Sequence, residues 1–377
     1  MIIKNGTLFC EDGIFRAQEL QIQDDTITAL ADTLQQQDAD VIDATDCYVV
    51  PGLVDIHIHG AMGADFSDGT TEAVETIAQF LLQNGVTSFL GTTMALPEQE
   101  LLTACETARA YCNKSIPGQA MLRGINMEGP FFSQEKRGAQ NPDFIISPDF
   151  DMFSRLQDAS GGNIRTVAVA PEIPGGLAFV EQAAPLATVS LAHTATDFDT
   201  ASRAFALGAS HLTHLFNGMP PLHHREPGVI GAAVDAEVYA ELICDGLHLH
   251  PAAVRASFRL FGADRICLIS DSMRACGLAD GQYILGGQTM TVRDGGSFTE
   301  GGSLAGSVTT LLGCLRRAVG LGIPLESALK AATSNPAKSV GLDNEVGALS
   351  VGKRGDVLVL DKELELKHVI AGGVLAV

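Results

Sequence analysis

Two histidines close the run Pro51-Gly-Leu-Val-Asp-Ile-His-Ile-His-Gly60. In an extended strand successive side chains alternate between faces, so Val54, Ile56 and Ile58 share one face while Asp55, His57 and His59 share the other. Imidazoles paired this way at the end of an apolar strand make half of a metal site. Two histidines beside a turn would look the same, and the pair alone does not separate these readings. Further apolar runs end in Glu128, His193, His214 and Asp271. Four histidines and two carboxylates suit zinc or iron(II) far better than magnesium or calcium, which prefer all-oxygen shells.

The elements carrying these residues alternate between strand and helix patterns. Strands are expected at Leu53–His59, Val86–Thr92, Met121–Glu128, Ile164–Ala170, Thr188–His193, His211–His214, Ala240–Cys244 and Ile266–Asp271. Helices are expected at Glu72–Gln83, Glu98–Asn113, Pro148–Gln157, Leu177–Ala184, Asp199–Leu207, Pro251–Phe261 and Val308–Val319. Glu72–Gln83 shows the reasoning: Val74, Ile77, Ala78, Leu81 and Leu82 fall on one helical face, Thr70 or Thr71 can cap, and Gly85 stops the helix. Eight strands with intervening helices specify an α/β fold, a (β/α)₈ TIM barrel. Active sites of that fold gather at the C-terminal ends of the strands, so His57, His59, Glu128, His193, His214 and Asp271 would converge on one mouth. Scattered structural histidines have no reason to occupy the same end of three strands. Tyr283–Val292, with Gly286-Gly287 between apolar runs, reads as an inserted hairpin.

Short strands are expected at both termini: Met1–Lys4, Thr7–Phe9, Leu20–Gln23, Thr26–Leu30 and Val41–Ile42, then 356–361 and His368–Val377. Neither end is long enough to bury a core of its own. The expected division is therefore a small β-sandwich from residues 1–50 plus 346–377, and a catalytic barrel over 51–345.

Composition narrows the partners. The 377 residues are 46% hydrophobic with 40 glycines and no tryptophan, as in a compact α/β enzyme. A net charge of −21 argues against nucleic acid and anionic membrane surfaces, which need a basic footprint. Any anionic substrate must then be captured by local cations and amides. No signal-peptide layout or membrane-spanning run is present, and the eight cysteines form no C-x-x-C pair. Reduced thiols and a cytoplasmic location are expected.

The chain resembles the amidohydrolase superfamily and, within it, the N-acetylglucosamine-6-phosphate deacetylase family. The stretch at residues 51–60 carries the resemblance, with Met127-Glu-Gly-Pro-Phe131, Arg137-Gly-Ala-Gln-Asn-Pro142, His214-Leu-Phe-Asn-Gly-Met219 and Arg225-Glu-Pro-Gly228. Asp245-Gly-Leu-His248, Ser270-Asp-Ser-Met-Arg-Ala275, Gly302-Ser-Leu-Ala-Gly-Ser307 and Asn335-Pro-Ala-Lys338 follow in the family's order. The resemblance implies release of acetate from N-acetylglucosamine 6-phosphate by a divalent transition metal, zinc or iron, with one or two per subunit. Glu128, His193 and His214 would hold the principal ion, and His57 and His59 a second bridged by Glu128. Asp271 would take a proton from metal-bound water and pass it to the sugar nitrogen, base then acid; otherwise it is a plain ligand or strand-end cap. Asn217, the Gly218 backbone and Arg225 match phosphate-binding positions, and His248 a sugar-contacting one. In the family this arginine can come from a neighbouring subunit, which implies a homodimer. Gln140 stands where the family often has a histidine reaching the acetyl oxygen; its amide can donate a hydrogen bond but carries no titratable charge. Gly301–Ser307 reads either as a phosphate cradle or as a tight turn beside the sugar. His211, His223, His224, His250 and His368 are expected to be structural or solvent-facing.

Alternatives remain at this level. The same chemistry on N-acetylgalactosamine 6-phosphate differs at one stereocentre. Dihydroorotase-, dihydropyrimidinase- or deaminase-like relatives often carry a bridging carboxylated lysine on the fourth strand, but here that strand ends Ala168-Val-Ala-Pro-Glu172 with no lysine. A non-catalytic scaffold of the same fold would have had no need to keep all five metal-ligand candidates.

Overall fold

Parallel strands that neighbour one another in chain order dominate the computed structural model, which describes residues 1–35 and 40–377. They are β1 (Leu53–Ile58), β2 (Val86–Thr93), β3 (Met121–Met127), β4 (Ile164–Val169), β5 (Thr188–Leu191), β6 (His211–Leu212), β7 (Tyr239–Ile243) and β8 (Ile266–Ile269). β1, β2 and β3 are buried at every position, as strands covered on both faces must be. The ring closes where the Asp271 N–H, two residues past β8, donates to the carbonyl of His57 in β1 at 2.9 Å. The fold is the expected TIM barrel.

Helices α1 (Thr71–Gln83), α2 (Glu98–Tyr111), α3 (Phe150–Ala159), α4 (Gly176–Ala183), α5 (Phe198–Ala206), α6 (Gly228–Asp235), α7 (Pro251–Phe261) and α8 (Leu311–Gly320) surround the strands. In α1 the Thr70 hydroxyl accepts from the Ala73 N–H, and Val74, Ile77, Ala78, Leu81 and Leu82 are buried. Burying each leucine stabilises the docked helix by about 1.5–3 kcal/mol. α6 was not anticipated. Its run Gly-Val-Ile-Gly-Ala-Ala-Val-Asp has no polar stripe, because Val229, Ile230, Ala232 and Ala233 are all buried, so helical periodicity is missing. α9 (Leu325–Ala332) and α10 (Ser334–Ser339) also lie beyond the expected elements.

The expected hairpin is part of a four-stranded sheet, Gly281–Leu285, Gln288–Arg293, Gly296–Phe298 and Leu304–Ser307, with its first turn at Gly286-Gly287. The glycine-containing segment before α8 is thus largely a strand. At the termini, Val374–Leu375, Leu366–Ala371, Val357–Leu360, Tyr48–Pro51, Thr7–Phe9 and Phe15–Ala17 form one sheet in that order. A second sheet contains Thr26–Ala31, Glu19–Gln23, Ile2–Lys4 and Val41–Asp43. Ile3, Leu8, Leu20, Ile22, Val49, Val357, Val359 and Ile370 share a core between residues from both ends. Phe15–Ala17 and Tyr48–Pro51 were not foreseen as strands. Among the described residues no helix is long and apolar enough to cross a membrane. All eight cysteines are unpaired thiols.

Candidate metal centre

Five of the six reactive side chains lie just past the strand ends, and His57 alone sits inside one, next to last in β1. β5 stops at Leu191, β6 at Leu212 and β8 at Ile269, each two residues before His193, His214 and Asp271. The backbone accounts for the shortened strands: His193, His214 and Asp271 have φ of 43°, 25° and 47°. A left-handed residue cannot continue a strand, and such strained positions cluster where side chains must be aimed. Each turn swings its side chain over the barrel mouth.

There Glu128 is shared by two triads, His57–His59–Glu128 and Glu128–His193–His214, all buried. Its Oε1 lies 3.2 Å from His193 Nε2 and 3.1 Å from His214 Nε2, and those two nitrogens are 3.2 Å apart. Its Oε2 lies 3.2 Å from His59 Nε2, while His57 Nε2 is 3.6 Å from Oε1. Asp271 Oδ1 is 3.5 Å from His57 Nε2 and 3.4 Å from His59 Nε2.

Hydrogen bonds fix two of the tautomers. His193 Nδ1 is 2.9 Å from the Lys136 carbonyl, which only accepts, so Nδ1 carries the proton. His57 Nδ1 likewise donates to Glu241 Oε2 at 2.9 Å. Both rings therefore turn an Nε2 lone pair toward Glu128, and the buried His57 Nε2 has no hydrogen-bond partner among the described residues. Lone pairs converging on a carboxylate repel unless a cation lies among them. Ligands about 2.0–2.1 Å from a tetrahedral ion stand about 3.3–3.4 Å apart, close to the spacings here. The donor set fits a divalent transition metal.

The electrostatics agree. Burial by itself lowers the pKa of His57, but the carboxylates of Glu241, Glu128 and Asp271 outweigh it and hold the imidazole at about 9. Burial also lowers His59 and His214, and here too neighbouring carboxylates override it and move both upward. Asp271 is raised by burial but held below its ordinary value by His57 and His59. The cluster favours positive charge at its centre, whether a proton or a metal supplies it.

A cavity of about 340 Å³ opens above these residues, lined by His59, Glu128, His193, His214 and Asp271 together with Gln140, Asn217, Gly218 and His248. Gln140 Oε1 accepts the Ala95 N–H at 2.8 Å, which turns its amide nitrogen to donate to Glu128 Oε2 at 2.9 Å. One of its two amide hydrogens is thus committed to the shared carboxylate. Asn217 Nδ2 donates to the His214 and Leu215 carbonyls at 3.2 Å each. Gly218 has φ 60°, and a Cβ there would meet His193 Nδ1 at 2.9 Å, so glycine is required. His248 Nδ1 donates to Asp245 Oδ2 at 2.7 Å. Ser303, Leu304, Ala305 and Gly306 form another wall.

Arg225 is not brought into this cavity. It lines a separate depression with Pro220, His223 and Pro227, and its guanidinium donates to His224 Nε2 at 2.7 Å. Two carboxylates escaped the sequence reading. Glu241 is a lone charge in the apolar strand Tyr-Ala-Glu-Leu-Ile, a signal that it has a buried partner. Asp245 precedes His248 by three residues, a spacing that suits the bond now seen. His211 is fully buried, with Nε2 3.4 Å from Glu241 Oε1.

Comparison with known proteins agrees with this arrangement. The model of the amidohydrolase family matches residues 48–376. N-acetylglucosamine-6-phosphate deacetylase of Lysinibacillus sphaericus is 35% identical over 380 residues, covering 99% of this chain and 97% of that protein. N-acetylgalactosamine-6-phosphate deacetylase of Escherichia coli O157:H7 is 32% identical, covering 100% and 99%. The structure of a mutant N-acetyl-D-glucosamine-6-phosphate deacetylase from Mycobacterium smegmatis, in complex with N-acetyl-D-glucosamine-6-phosphate, matches with TM-score 0.94 at 31% identity. It covers 100% of this chain and 99% of that one.

Proposed function

Because the chain belongs to the amidohydrolase family, we propose that it hydrolyses the N-acetyl amide of N-acetylglucosamine 6-phosphate, giving glucosamine 6-phosphate and acetate. One observation carries the reading most: two triads share Glu128, with the Asp271 carboxylate facing both His57 and His59 in one cavity.

In this reading Glu128, His193 and His214 hold a principal zinc or iron ion, and His57 and His59 a second with Glu128 between them. The metal supplies Lewis acidity toward the acetyl carbonyl and toward water. Asp271 accepts a proton as water oxygen bonds to the carbonyl carbon. It then gives that proton to the sugar nitrogen as the C–N bond breaks, so the amine leaves neutral. Its depressed pKa keeps it ionised and ready as a base at neutral pH. Gln140 steadies Glu128 from the cavity wall, and its second amide hydrogen is free for the acetyl oxygen. His248, anchored on Asp245, offers Nε2 to a sugar hydroxyl.

Phosphate is held by the Gly218 backbone, Asn217 and an arginine. Arg225 lines a separate depression and not its own cavity, which supports its acting across a homodimer, on the phosphate in the partner subunit's site. Residues 51–345 form the catalytic unit, with 1–50 and 346–377 as a small β domain whose shared core supports the division. A sugar phosphate substrate and eight free thiols fit the cytoplasm. The reading is tested by acetate release from the two epimeric N-acetylhexosamine 6-phosphates with protein of measured metal content. Preference for the gluco epimer supports it, and preference for the galacto epimer replaces the substrate.

A further inference from the structure

Below the metal centre, inside the barrel, Glu241 occupies the middle of β7 with 1% of its surface exposed. A carboxylate placed this deep is costly unless donors surround it. Its Oε2 accepts the His57 Nδ1–H at 2.9 Å and the His214 backbone N–H at 3.1 Å. Its Oε1 faces His211 Nε2 at 3.4 Å, and the His211 ring in turn stacks on Tyr239, centroids 6.4 Å apart at 23°. One oxygen therefore touches a residue of each triad.

We infer that Glu241 is a positioning residue for both halves of the metal centre, orienting His57 through its ring and His214 through its backbone. The inference rests on the metal reading above but not on the identity of the substrate. At His57 the carboxylate holds the proton on Nδ1, so Nε2 must present its lone pair to the cavity, and it makes that nitrogen a better donor. At His214 the bond secures a backbone with φ 25°, a conformation that needs outside support to persist. His211 and Tyr239 keep Oε1 turned aside, which leaves Oε2 pointing at the two donors. No other carboxylate among the described residues contacts one triad through a ring nitrogen and the other through a backbone N–H.

Glu241→Gln tests this, because the amide keeps the shape but loses the charge. Wild type and variant are stripped of metal and titrated with Zn²⁺ against a competing chelator. Their Co²⁺ absorption spectra and metal-free melting temperatures are recorded alongside. Loss of such an outer carboxylate typically weakens metal affinity by about 10–100-fold. That loss is expected at both sites, with an altered Co²⁺ spectrum and a metal-free melting temperature lowered by no more than the few degrees that pairing of His57 with its carboxylates supplies. If Glu241→Gln does not fold, Glu241→Asp, which keeps the charge but stops short of Nδ1, is expected to show the same loss. Zinc affinity within about twofold of wild type, with an unchanged Co²⁺ spectrum, overturns the role of Glu241. A wild-type protein that binds no zinc overturns the metal reading as well, so the two failures are distinguishable.

Discussion

Removing the metal should make the stability of this protein fall as pH rises, through His57. That imidazole is fully buried, and burial alone would lower its pKa, yet Glu241, Glu128 and Asp271 hold it at about 9, above the ordinary 6.5. A folded-state pKa above the unfolded one means that the folded chain binds the proton more tightly. The stabilisation is fully present below pH 6.5 and is lost as pH climbs through about 9. The 2.5-unit difference between these values, at about 1.4 kcal/mol per unit, is about 3 kcal/mol, counted once for the histidine and its carboxylate partners together. Spread over 377 residues at about 2.1 cal/mol/K each, that is a shift of roughly 4 °C in melting temperature. Metal-free protein should therefore melt several degrees lower at pH 9 than at pH 6.5. Zinc-loaded protein should not, because the metal replaces the proton as the central cation. Melting scans of both forms across this range, with metal-free His57→Asn as control, give the answer. An equal decline in the His57→Asn protein would refute the assignment, as would a flat profile in the metal-free wild type.

Three further outcomes follow from the site. Asp271→Asn should keep its metal while kcat falls by roughly 10²–10⁴-fold, the usual scale for losing a general acid–base; near-normal turnover in metal-replete variant would remove Asp271 from the mechanism. His57→Ala combined with His59→Ala should lower the metal bound per chain and leave the Glu128–His193–His214 site filled, read by mass spectrometry of dialysed protein. Arg225→Ala, weak alone, should regain activity when its subunits exchange with inactive Asp271→Asn, because one site of the mixed dimer then has neither defect. No recovery despite verified exchange would place Arg225 away from the partner's phosphate.

Much of the barrel was legible because its strands and most of its helices carry strong patterns. Leu53–Ile58 and Val86–Thr93 are bounded by turn residues, and Pro251–Phe261 is periodic from end to end. The candidate ligands were legible for a related reason: each ends an apolar run, and a barrel collects strand ends. What stayed hidden depended on features that periodicity does not encode. α6 is apolar on all sides, so it lacks the stripe that marks a surface helix. The strands ended two residues early at His193, His214 and Asp271, because left-handed backbone at non-glycine residues leaves little trace in sequence. Glu241 became meaningful only once β7 was packed beside β6 and its carboxylate met His57, 184 positions away along the chain. The bond from Gln140 to Glu128 became visible only once the Ala95 N–H fixed which way the Gln140 amide points.

The central claim is that metal held at Glu128 enables acetate release from N-acetylglucosamine 6-phosphate. The most direct measurement follows acetate from this sugar phosphate while metal content is stepped down with a chelator and restored with Zn²⁺ or Fe²⁺. The account predicts that the rate tracks bound metal, vanishes in stripped protein and returns on reloading. Acetate release that persists at full rate in metal-free protein would contradict it, as would fully loaded, folded protein that releases none.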